Sequence, residues 1–207
     1  MLRLNWLMAV ALCATVFVAC GKQEVRVELA QGKDDGSVSL LTHLQPNLFG
    51  FVYGSLEECR VGIGVSGGGD TLLGRPVFRF KIADWTKGEI TFHFRYNNTS
   101  GTPGLIQVFC IKNFGALRDT GPADISWLWQ AADSGRMVGE PLFRADSTFE
   151  AVAPESVVTA MKSSDNYLAF MLKLKNEGLL AENWVRITNY EYAETHDAEK
   201  PYLTWKK

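Results

Sequence analysis

The first stretch of sequence with assignable chemistry is Phe17-Val18-Ala19-Cys20. Small or medium apolar residues leading to a cysteine form the pattern in which the thiol takes a diacylglycerol and the freed amine a further acyl chain. Arg3 supplies a positive start, and Trp6 to Phe17 is apolar apart from Thr15. That run is too short to remain a spanning helix and suits a cleaved leader. An ordinary secretory cut after Ala19 would put bulky Phe17 where a small residue is required. Cys13 follows Leu12 and lacks the small residue before it. The expectation is a lipoprotein signal over residues 1–19 with Cys20 acylated; a plain signal peptide and an uncleaved anchor helix are the alternatives. Two or more acyl chains anchor stably where one does so marginally. Gly21-Lys22, with no aspartate after the modified cysteine, points to outer-membrane sorting, facing the periplasm or the cell surface.

Other apparent motifs lack the context their chemistry needs. Gly62-Ile63-Gly64-Val65-Ser66-Gly67 matches a dinucleotide fingerprint, but Gly68-Gly69-Asp70 follows where a helix must start. Gly64-Val65-Ser66-Gly67-Gly68 resembles a nucleophile elbow and fails for want of the same strand–turn–helix. Glu57, Glu58, Glu150, Glu155, Glu191 and Glu194 offer carboxylates, yet none is marked as one of a facing pair. His43, His93 and His196 have no metal-ligand spacing. Asp34, Asp35, Asp70 and Asp84 leave a structural calcium ion possible but unassigned, because no loop has dense oxygen-ligand spacing. No catalytic constellation is recognised, and no cofactor is called for. The net charge of -2 and the absence of a basic stripe argue against nucleic acid.

Aromatic residues offer recognition chemistry instead. On a strand Trp127 and Trp129 would share a face and could stack on sugar rings; Ile125 on that same face would equally make them core residues. Trp85, in a turn after a strand, is a further exposed candidate. Cys59 and Cys110 remain once the leader and Cys20 are set aside. In an oxidising compartment they form either a disulfide or two buried thiols. A bridge would close a loop of about 50 residues and contribute roughly 4 kcal/mol on the chain-entropy account.

These groups must be positioned mainly by strands. Val77 to Ile82 alternates, with Val77, Arg79 and Lys81 on one face and Phe78, Phe80 and Ile82 on the other. Ile90, Phe92, Phe94 and Tyr96 repeat with period two, with Thr91, His93 and Arg95 facing out. Further strands are expected at Val25–Leu29, Val38–Leu41, Phe49–Tyr53, Cys59–Ile63, Leu105–Ile111, Ile125–Trp129, Tyr167–Leu174, Trp184–Thr188 and Tyr202–Trp205. Pro154–Met161 is the one helix expected. Regular strands separated by turn signals predict an all-β fold, an antiparallel jelly-roll-like β-sandwich with one short helix. Residues 20–36 would be a tether and possible first strand, and residues 37–207 the sandwich domain.

The order of segments resembles the DNRLRE-type, disaggregatase-related domains, which are carbohydrate-binding-module-like jelly rolls of secreted proteins. The residues that carry the resemblance are Arg75-Pro76-Val77-Phe78-Arg79-Phe80-Lys81-Ile82 with Trp85, Gly88 and Ile90, then Asp124-Ile125-Ser126-Trp127. Asn176-Glu177-Gly178 and the closing Pro201-Tyr202-Leu203-Thr204-Trp205 complete it. Lys81 stands where that family has aspartate. The resemblance implies a surface module that binds polysaccharide, with a structural or protein-docking lipoprotein (an adhesin or envelope-assembly component) as the alternative.

Overall fold

The computed structural model describes residues 23–41, 48–52, 59–65, 71–116, 126–144, 148–177 and 182–207. Cys20, the glycine-rich loop after Val65, Glu57, Glu58 and Ile125 lie outside the described residues, so the leader and the loop motifs are sequence expectations only.

The fold is an all-β antiparallel sandwich. Twelve strands are described, all paired antiparallel. They are β1 Glu24–Glu28, β2 Asp35–Leu41, β3 Leu48–Val52, β4 Arg60–Val65, β5 Thr71–Lys81, β6 Ile90–Ser100, β7 Ile106–Ile111, β8 Arg136–Gly139, β9 Thr148–Ala153, β10 Tyr167–Leu174, β11 Asn183–Ile187 and β12 Tyr202–Lys206. The main path runs β1-β12-β6-β11-β4-β5-β10-β7-β8, with β2 and β3 joined at β5 and β9 at β6. Four short helices are described rather than one: α1 Ser126–Trp129, α2 Ala131–Ser134, α3 Glu155–Met161 and α4 Tyr190–His196.

The long strand β6 explains how one ladder makes two layers. Its first half pairs β9 on one edge and β12 on the other. Its second half pairs β11, after a register shift that skips Asn97. A bulge of this kind bends a strand and reverses which alternate side chains face out. Up to Tyr96 the even-numbered residues therefore enter the core; beyond the bulge Asn98 and Ser100 lie opposite Arg186 and Trp184, on the outward side.

The main core lies between the layers and is built on phenylalanine. Phe92 of β6 stacks on Phe170 of β10 at 4.6 Å and 18°. It also meets Phe78 and Phe80 of β5 at 5.7 and 5.6 Å. The period-two pattern delivers these rings, because every second residue of a strand shares a face. Val158 and Met161 of α3 add to this core, three residues apart on one side of the helix.

A second, smaller core covers the other face of β5 and β10. Leu128 of α1 and Ala131 and Ala132 of α2 pack there with Val38, Val77, Ala169 and Met171. β5 is thus buried on both faces, and its outward-alternating arginines are enclosed. Arg79 donates from Nε to Asp34 Oδ1 at 2.7 Å, with both side chains at most 5% exposed, and its guanidinium lies 4.5 Å over the Tyr167 ring.

Asp35 is buried beside this pair. Its Oδ2 accepts the Tyr190 N–H at 2.7 Å and its Oδ1 has no partner. Burial pushes its carboxyl well above the usual range, and the neighbouring Glu191 and Asp34 push the same way. As pH rises the unfolded chain ionises first, so the folded state loses stability between the ordinary carboxylate value and the raised one. The loss is complete above the raised value and absent below both. D35N should therefore melt above the parent protein at pH 7, with the gap closing around pH 4. Melting curves at both pH values check this, and a D35N protein that melts lower at pH 7 refutes it.

Candidate functional site

The three tryptophans expected to recognise a ligand are placed differently from one another. Trp85 is 7% exposed and belongs to the main core, so its expected exposure is overturned. The turn folds back on itself: Trp85 Nε1 donates to Gly88 O at 3.1 Å, and the Gly88 N–H donates to Glu155 Oε2 at 2.9 Å. Gly88 holds a positive φ of 91°, which glycine adopts readily.

Trp127 and Trp129 do not form a strand pair. They stand on helix α1, where residues two apart point to nearly opposite sides. Trp127 is 49% exposed and Trp129 is 9% exposed. Arg75 covers the Trp129 ring at 3.9 Å and donates from Nη1 to the Trp129 carbonyl at 2.7 Å. The same guanidinium grips Glu177 through Nε at 3.0 Å and Nη2 at 2.5 Å. Trp129 is thereby a structural anchor, and the paired stacking platform is lost. The signal for helix was present in Leu128, Ala131 and Ala132, which are spaced i, i+3, i+4.

No disulfide joins Cys59 and Cys110; both are buried thiols in the main core. β4, which Cys59 precedes, pairs β11 and β5, whereas β7, which carries Cys110, pairs β10 and β8. The two positions therefore share no ladder. Burial pushes the Cys110 thiol up to about 12, which keeps it protonated and poorly nucleophilic. Among the described residues no group of three or more His, Cys, Asp or Glu side chains could hold a metal ion. Asp84 is exposed and accepts from Lys207 Nζ at 3.3 Å.

The more open recognition surface was missed as a site by residue type alone. It is the solvent face of the β1-β12-β6-β9 layer, where β-strand alternation places Arg26, Tyr202, Thr204, Thr91, His93, Arg95, Thr148 and Glu150 opposite the core residues. At its centre Tyr202 is held between two partners. Its ring stacks on His93 at 4.4 Å and 11°, and the Arg26 guanidinium lies 3.6 Å from its centre. Register fixes the assembly, since Tyr202 is the Cα partner of His93, and Arg26 is the partner of Thr204 on the same face.

His93 is anchored through one ring nitrogen and has a carboxylate beside the other. Nε2 shares a 2.8 Å hydrogen bond with Thr204 Oγ1, and Glu150 Oε1 stands 3.3 Å from Nδ1, out of line for a hydrogen bond. Burial lowers the His93 pKa despite the pull of Glu150, so the ring is neutral at pH 7. Glu199 ties Arg26 from the far side at 3.0 Å. The surface ends in two depressions. One, of about 220 Å³, is lined by Glu24, Glu89, Thr91, Thr204 and Lys206. The other, of about 310 Å³, is lined by Pro141, Leu142, Arg144, Thr148 and Glu150. From Thr91 to Arg95 the strand covers about 13 Å, enough for two or three linked sugar rings.

Compared with known proteins, the chain matches no protein-family model and no curated protein sequence. Among the described residues no helix is long and apolar enough to cross a membrane.

Proposed function

We propose that this protein is a lipid-anchored polysaccharide-binding module of a bacterial envelope, held through Cys20 and binding along the open face of the β1-β12-β6-β9 layer. The observation that carries the reading is the Arg26–Tyr202–His93 stack between two depressions. Tyrosine, histidine, threonine and carboxylate groups held in fixed positions can satisfy several sugar hydroxyls, and order gained before binding lowers its entropic cost. Both faces of Tyr202 are occupied, so binding here rests on hydrogen bonds and ring edges rather than on face stacking. The DNRLRE-type resemblance points the same way.

Pull-down on insoluble polysaccharides is the direct test. One or more should retain the parent protein, and Y202A and H93A should each weaken retention about tenfold, the scale of one or two lost charge-assisted or neutral hydrogen bonds. If the parent is retained by none, or if both variants bind as well as the parent, the reading fails. The anchor is tested separately with a palmitate analogue in the bacterium: the parent should take label and C20S should not.

A protein-docking role is the second reading. Half-exposed Trp127 and exposed Met137 of β8 favour it, since large apolar side chains on a surface suit partner contact. Retention of a purified envelope protein that survives Y202A and is lost in W127A would decide for it.

A further inference from the structure

Beyond the Asn97 bulge, the outward side of β6 continues into a cluster with a different character. Arg186 of β11 is the direct cross-strand partner of Arg60 of β4, and of Asn98 of β6 on its other edge. Like charges opposite one another on neighbouring strands repel. Both guanidiniums approach a single indole: the Arg60 carbon lies 5.0 Å and the Arg186 carbon 5.3 Å from the Trp184 ring centre. Glycine at position 64 makes room for this, because a Cβ there would stand 3.3 Å from Arg60 Nη1 and 3.7 Å from the Trp184 ring.

Among the described residues neither arginine has a counter-ion, and the Nε atom of each is buried without a hydrogen-bond partner. Glu182, the described carboxylate at this cluster, accepts the Trp184 indole N–H at 2.6 Å. Arg26, Arg75 and Arg79, by contrast, are each matched by Glu or Asp. Asn98 and Ser100 border the same face. The Asn98 carbonyl oxygen is taken by the Thr99 N–H at 2.8 Å, which leaves its amide N–H groups for something else.

Two cations held opposite one another repel, and an anion bound across them relieves that repulsion. Guanidinium is the side chain best suited to grip a planar carboxylate. We infer that Arg60, Arg186 and Asn98 form a subsite for the carboxylate of an acidic sugar, at the end of the surface proposed above to bind polysaccharide. This deepens that reading and rests on it: the polymer recognised would be a uronic-acid-containing one.

Calorimetric titration of the full chain with an oligogalacturonate, its neutral methyl ester, and inorganic phosphate tests the subsite. The acid should bind more tightly than its ester and weaken as salt rises. R60Q/R186Q should lose at least tenfold in affinity for the acid while binding the ester as the parent does. R60K/R186K, which keeps charge but not the planar fork, should recover part of the loss. Circular dichroism melts confirm that the variants fold; if the glutamine pair does not, single R186Q carries the test. Equal binding of acid and ester, unchanged acid binding in R60Q/R186Q, or response to phosphate alone would overturn the subsite. Ester binding that depends on Tyr202 would leave the broader polysaccharide reading intact in each of those cases, and that reading is decided separately by the pull-down on insoluble polysaccharides.

Discussion

D34A should melt roughly 6–20 °C below the parent protein, the fall expected for losing about 3–5 kcal/mol in a chain of this length. Asp34 and Arg79 are both almost fully buried, and the Nε and Nη2 atoms of Arg79 converge on the same Asp34 oxygen. Alanine would remove the acceptor while the guanidinium stayed in place, held over Tyr167 and by the backbone bond from its own N–H to the Asp34 carbonyl at 2.7 Å. An unpaired buried cation is the expensive outcome, more so than the loss of the pair as such. The double variant D34A/R79M should accordingly recover most of the loss, because an apolar side chain needs no partner there. A thermal melt of the three proteins is sufficient. If D34A melts within a degree or two of the parent, or if the double variant is as weak as the single one, the pair does not stabilise the fold in this way.

F92A is the second large effect, at about 3–5 kcal/mol. Phe92 is fully buried and touches Phe78, Phe80, Phe94 and Phe170, so it joins the two layers at their centre. Truncation leaves a void bounded by rings on separate strands, which the ladders prevent from collapsing inwards. F92L should cost less, since it keeps more of the buried volume. Urea unfolding should show a lower midpoint with little change of slope for both variants. A midpoint for F92A equal to that of the parent would mean the core closes around the loss.

Much of the sandwich could be read directly from alternation. Ile90, Phe92, Phe94 and Tyr96 point inwards and Thr91, His93 and Arg95 outwards, because a half-buried strand imposes that pattern on its sequence. β5 shows where the pattern is incomplete. It assigns Arg79 to the face opposite Phe78 and Phe80, but only the packing of α1 and α2 reveals that this face is covered as well. At Trp127 and Trp129 two periods competed. The short apolar run fits a strand, yet Leu128, Ala131 and Ala132 had to meet a surface at helical spacing, and that contact prevailed. Trp85 departs from expectation for a different reason: a turn residue is usually exposed, but this indole is bonded back onto its own turn.

The candidate sites were less legible than the strands. Tyr202 meets His93, and Arg60 meets Arg186, only through cross-strand register. Each pair is more than a hundred residues apart, and register depends on bulges such as the one at Asn97 that leave little mark in a single sequence. The cysteines illustrate the same limit, since an oxidising compartment allows a bridge, but only the packed core shows two thiols that are not joined.

The place of β12, between β1 and β6, also governs the timing of assembly. During synthesis Glu24–Glu28 is made well before its ladder partner Tyr202–Lys206, since more than 170 residues separate them. The β1 ladder therefore stays unformed, and the β12-side edge of β6 stays bare, until Tyr202–Lys206 has been made. Folding is thus expected to be slow, as for other sheets dominated by distant pairings. In the interval the exposed edge is open to pairing with a neighbouring chain, which makes the unfinished molecule, rather than the finished one, the form most in need of a chaperone.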